Sequence, residues 1–73
     1  MPITDDTLRN WFQYHAPESN DQQLAYEAIR GEGFIFSQLI RDLTPESADQ
    51  TAAIRKVREA VMTANAAIAC GGK

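Results

Sequence analysis

Between Asn20 and Gly71 the chain is sharply broken at one place only, Thr44-Pro45-Glu46-Ser47, and this confines it to two long helices lying side by side. Before the break, Leu24, Ala28, Ile29, Ile35, Phe36, Leu39, Ile40 and Leu43 recur at helical spacing and not with strand alternation. They predict a helix from about Asp21 to Leu43, capped by Ser19 or Asn20. After the break, Ile54, Val57, Val61, Ala64 and Ile68 repeat at three-to-four spacing as a coiled-coil-like seam. That helix is expected from Pro45 or Ser47 to Cys70, with Thr44 as N-cap, Pro45 at the first helical position and Gly71-Gly72 as the stop. Each helix is roughly 35 Å long. A connection this short makes them antiparallel neighbours.

Upstream, Thr4 is a candidate N-cap for a short helix to Phe12, with Asp5 and Asp6 in its first turn, where carboxylates complement the helix dipole. Leu8, Trp11 and Phe12 form its apolar face. The fold class expected is all-α: a short N-terminal helix plus a long antiparallel two-helix hairpin, one domain over residues 1–73. Gly31 and Gly33 fall inside the first long helix, each costing about 1 kcal/mol against alanine. They imply either the close approach of a neighbouring helix or a bend.

A chain of 73 residues buries little of its surface and needs a staple. Disulfides within the chain are excluded, because Cys70 is the only cysteine, and no Cys/His cluster has metal-ligand spacing. A lone cysteine could cross-link two chains in an oxidising compartment, but the plainer reading is a reduced bystander in a cytosolic protein. Self-association remains. The second long helix is apolar or small on more faces than one partner can cover: Val57 and Val61, but also Ala60, Met62, Ala66 and Ala67. Ala53, Ala60 and Ala67, spaced by seven, admit another helix closely.

Several function classes drop out. A net charge of −3 disfavours duplex nucleic acid, which calls for a surplus of Lys and Arg. Met1-Pro2-Ile3-Thr4-Asp5-Asp6 has neither the basic start nor the apolar run of a secretory leader, and residues 60–72 are too short and alanine-rich for a membrane span. No phosphate-cradling glycine loop, nucleophile elbow or HExxH motif occurs, and His15 has no nucleophile or carboxylate at usable spacing. An enzyme is therefore not expected, nor a cofactor or metal; the residues alone point to an oligomeric helical hairpin with an aromatic loop.

The segment Trp11-Phe12-Gln13-Tyr14-His15 precedes Pro17, which prevents helical continuation at Ala16. A tyrosine beside an imidazole on a rigid turn is a stacking platform for a flat heterocycle. On residue type alone the simpler account is that Trp11 joins the core, Tyr14 packs across the hairpin and His15 faces solvent. Arg30, Arg55 and Arg58 offer guanidinium forks suited to phosphate. Ion pairing with Glu27 or Glu59 is the plainer use for them. In a two-fold dimer, paired rings and paired arginines would suit a ligand with two bases and two phosphates.

The stretch from Trp11 with its aromatic-x-Tyr-His-x-Pro motif at Phe12–Pro17, the Tyr26-x-x-Ile29-Arg30 element and the block Glu59-Ala60-Val61-Met62-x-Ala64-Asn65-Ala66-Ala67-Ile68-Ala69 span residues 11–69. Together they resemble the helical-hairpin family of phage anti-defence proteins, the sponges that counter CBASS and Thoeris immunity by sequestering signalling nucleotides. The resemblance implies non-catalytic binding of cyclic oligonucleotide second messengers in the cytoplasm of the infected host. Cyclic dinucleotides such as cyclic GMP–AMP would sit in pockets shared by two protomers of a dimer-based hexamer, with cyclic trinucleotides at a separate site. Cyclic ADP-ribose-type signals are the alternative ligand, and a protein-binding hairpin the alternative class. By position, Tyr14 would stack on a base and Arg30 would meet phosphate, with Trp11, Phe12 and His15 flanking them. Met62, Asn65 and Arg58 would belong to the trinucleotide site. The chain departs from the pattern in a longer loop between His15 and Tyr26 and in Gly31-Glu32-Gly33-Phe34, which lacks the alanine/lysine character of that position.

Overall fold

Three side-chain caps set where the helices begin. In the computed structural model, which describes residues 2–73, the helices are α1 (Asp5–Phe12), α2 (Asn20–Leu43) and α3 (Ala48–Ala69). Met1, the first residue of the segment read for a leader, lies outside the described residues. The oxygens of Thr4, Ser19 and Ser47 accept from the backbone N–H three residues on, at 3.2, 3.1 and 3.1 Å. Each cap satisfies a donor that the first helical turn leaves orphaned.

The start of α3 corrects the expectation of a Thr44 cap with Pro45 inside the helix. Thr44 instead ends α2, its hydroxyl donating to the Ile40 carbonyl at 2.6 Å, and Ser47 caps α3. Gln50 closes the corner by donating from Nε2 to the carbonyls of Arg41 and Thr44 at 3.0 and 3.2 Å. At the other end Gly71 and Gly72 take φ of 63° and 77°, the left-handed region open to glycine. Their N–H groups return to the carbonyls of Ile68 and Ala67, the Schellman arrangement.

α2 and α3 pack against each other as the expected hairpin. The two glycines separate here. α2 runs through both without a break. A β-carbon on Gly33 would stand 2.5 Å from Val61 Cγ2, so this glycine permits the close approach of α3. A β-carbon on Gly31 would meet nothing within 4 Å.

α1 folds back to the far end of the hairpin and is clasped to the C-terminus. Asn10 Nδ2 donates to the Cys70 carbonyl at 3.3 Å, and Trp11 Nε1 donates to the Lys73 carbonyl at 3.0 Å. His15 Nε2 lies 2.6 Å from the Asn10 carbonyl and must carry the proton there, since a carbonyl only accepts. His15 is thus a half-buried tie on the loop, not a solvent-facing side chain. Trp11, expected in the core, is 48% exposed and borders a hollow with Ala66 and Ala67.

No described residue is fully buried. The exposed area is 6059 Å², against roughly 4,500 Å² for a compact monomer of this length. The radius of gyration is 15.2 Å, where about 11 Å is typical. α2 also carries two apolar faces, not the one stripe read from the sequence. Ile29, Gly33 and Ile40 are half-buried, whereas Leu24, Ala28, Ile35 and Leu39 form an exposed ridge that includes Gly31.

Two outcomes follow from these contacts. Gly33→Ala should lower stability by about 1–3 kcal/mol, because β-branched Val61 has one favoured helical rotamer and cannot swing aside. Adding Val61→Ala should recover part of that loss in thermal melts followed by circular dichroism. Asn10→Ala and Trp11→Phe each remove one clasp bond, and hydrogen exchange of α1 amides should accelerate while α2–α3 amides keep their protection. Equal acceleration throughout the chain would show that α1 does not open separately.

Candidate functional site

The groove between α2 and α3 is built from one ridge of each helix. Tyr26, Arg30, Gly33 and Ser37 succeed one another at four-, three- and four-residue steps along α2. Ile54, Arg58, Val61 and Asn65 do the same along α3. Helical residues at these steps share a face. Two hollows result, of about 460 Å³ and 520 Å³. Arg30, Met62 and Asn65 line both, so the two adjoin. The first continues over Phe34, Ile54 and Val57; the second continues past Tyr26 to His15 and Pro17.

Charge and apolar surface are arranged unevenly here. Among the described residues the ion pairs are Arg9–Asp6 at 3.0 Å and Arg41–Asp42 at 2.9 Å, both outside the groove. Arg30 and Arg58 therefore do not form the pairs with Glu27 and Glu59 that were the plainer reading of the sequence. Two uncompensated guanidiniums border a groove whose floor is Ile54, Val57 and Val61. Such a surface has the chemistry that suits an anion carrying flat apolar rings, since guanidinium forks match phosphate oxygens and aliphatic side chains match ring faces. Two polar atoms in the groove walls, the Tyr26 hydroxyl and Asn65 Oδ1, are buried without a hydrogen-bond partner.

The residues singled out from the sequence divide into two groups. Arg30, Arg58, Met62, Asn65 and His15 border the two adjoining hollows. The sequence had set Arg30 and His15 apart from Met62, Asn65 and Arg58; the fold places them along one groove. Phe12 and Tyr14 are each 84% exposed and border neither hollow. Trp11 lies at the C-terminal clasp. Within one chain, then, the aromatic loop stands beside the groove's His15 end and does not close over it. Tyr26 was not singled out. Its spacing four residues before Arg30 was the available signal, because it sets both on one face of α2.

Among the described residues no group of His, Cys, Asp and Glu is placed to hold a metal ion, and no helix is long and apolar enough to cross a membrane. No curated protein and no solved structure matches the chain. The family model of the Acb2/Tad1 hairpin domain matches residues 4–69, from the cap of α1 to the end of α3. That family consists of binding sponges and not enzymes. With nearly its whole length covered, the chain belongs to the Acb2/Tad1 hairpin-domain family, the anti-CBASS and anti-Thoeris sponges.

Proposed function

We propose that the chain is a phage anti-defence sponge that captures cyclic oligonucleotide immune signals in the host cytoplasm, holds them intact and so denies them to CBASS effectors. Membership of the hairpin family carries this reading. The groove supports it chemically, through unpaired Arg30 and Arg58 beside an apolar floor. Arg30 neutralises phosphate. Tyr14, free to meet a ligand because nothing in its own chain covers it, stacks on a base from a neighbouring subunit.

Self-association completes the pocket. The chain exposes roughly 1,500 Å² more than a compact monomer would, close to twice the 800 Å² or so that one partner contributes to a standard interface. The ridge Leu24, Ala28, Ile35 and Leu39 on α2 supplies a continuous apolar strip for a second copy, and Gly31 lets that copy approach. A dimer-based hexamer is the assembly proposed. Enclosure between chains slows dissociation, which a stoichiometric sponge requires.

The test is a capture experiment. The chain is mixed with cyclic di- and trinucleotides and with a cyclic ADP-ribose isomer, freed of unbound ligand and then denatured. Recovery of an intact cyclic nucleotide is expected. Linear products would mean an enzyme, and retention of nothing would favour a hairpin that docks a protein on its α2 ridge. Arg30→Ala should weaken retention about tenfold or more, the worth of a charge-assisted hydrogen bond. Tyr14→Ala should do the same through lost stacking, with the oligomer mass unchanged. Normal binding by both variants would show that the pocket lies elsewhere.

A further inference from the structure

The Tyr26 hydroxyl and Asn65 Oδ1 are polar atoms that the hairpin itself does not account for. Both are shut away from solvent with no hydrogen-bond partner, and folded chains leave few such atoms. A buried polar atom left unpaired bears its full desolvation penalty. Phenylalanine at position 26 would pack the same ring without that cost. The hydroxyl therefore burdens the ligand-free hairpin.

The two orphaned atoms come from opposite sides of one groove. Tyr26 is on α2 and Asn65 on α3, and both line the hollow that also holds Arg30 and Met62. One atom is a donor and the other an acceptor. A nucleobase edge offers the complement, an acceptor beside a donor. Arg30, one helical turn after Tyr26, provides the cation for that nucleotide's phosphate. Met62 is 61% exposed in the same hollow, and its unbranched thioether chain changes rotamer readily. A side-chain movement of this kind is what a ligand would need to reach the two atoms.

We propose that Tyr26 is a base-reading residue of the groove: its hydroxyl donates to, and Asn65 Oδ1 accepts from, the edge of a nucleobase whose phosphate rests on Arg30. This assignment rests on the sponge function proposed above. In its light the unpaired hydroxyl is a group preorganised for the ligand, satisfied only on binding.

Tyr26→Phe deletes that hydroxyl and nothing else. Without ligand, the variant should melt at the same temperature as the native chain or higher, since an unpaired buried hydroxyl has been removed. With cyclic GMP–AMP, and with cyclic tri-AMP as a second probe, its binding should weaken about tenfold, and the rise in melting temperature on adding ligand should shrink accordingly. A purely structural tyrosine would give the reverse pattern: a lower ligand-free melting temperature with unchanged affinity. That pattern, or affinity equal to the native chain's for both probes, overturns the assignment of Tyr26 while leaving the sponge function intact. Failure of the native chain to bind either probe overturns both.

Discussion

The contact of Gly33 with Val61 governs the rest of the molecule. Where a side chain would stand, α3 presses a valine methyl against the backbone of α2. This sets the separation of the two helices, and the separation sets the groove. Gly33 and Val61 line one of the hollows, together with Arg30, Met62 and Asn65. A wider spacing would carry Asn65 away from Tyr26 and split the two arginines onto separate surfaces. A tight local packing event therefore fixes the relative positions of groups that lie 28 to 39 residues apart in the sequence.

The same hairpin is too thin to have an interior. Two helices share one seam, and the residues in that seam are only half-covered. Most of the large apolar side chains of α2 face outward. For a chain of this size such exposure is unstable in water unless another surface covers it. In the proposed account the α2 strip that calls for a second copy and the groove that calls for an anion occupy opposite faces of the helix. Tyr14, exposed on the loop beside its own groove without closing over it, fits a role supplied to a neighbour.

The sequence made the helices and most of their ends plain, because caps and stops are local chemistry. Thr4, Ser19 and Gly71-Gly72 act where their types predict. Pro45 misled, since a proline after threonine fits a helix start as well as Ser47 does; the choice turned on Thr44, which bonds back to Ile40 and so belongs to α2. The apolar pattern of α2 blended two faces into one stripe, because periodicity marks hydrophobic positions without saying which partner each one meets. Gly31 and Gly33 look alike in sequence and differ by their rotation about the helix axis. The union of Arg30 with Arg58, Met62 and Asn65 was illegible for the same reason: it depends on how α2 and α3 are turned toward each other. His15 was legible as a special residue but not as a tie to Asn10, a contact made only when the loop folds back on α1. Family resemblance reached the functional class without passing through any of these geometric details.

The central claim is that several copies of this hairpin jointly enclose an intact cyclic nucleotide. Native mass spectrometry of the chain mixed with cyclic GMP–AMP tests it in one spectrum. The account predicts assemblies built from dimers, up to six chains, each carrying nucleotide of unaltered mass and fewer nucleotides than chains. A spectrum dominated by single chains, whether bare or carrying one nucleotide apiece, would contradict it.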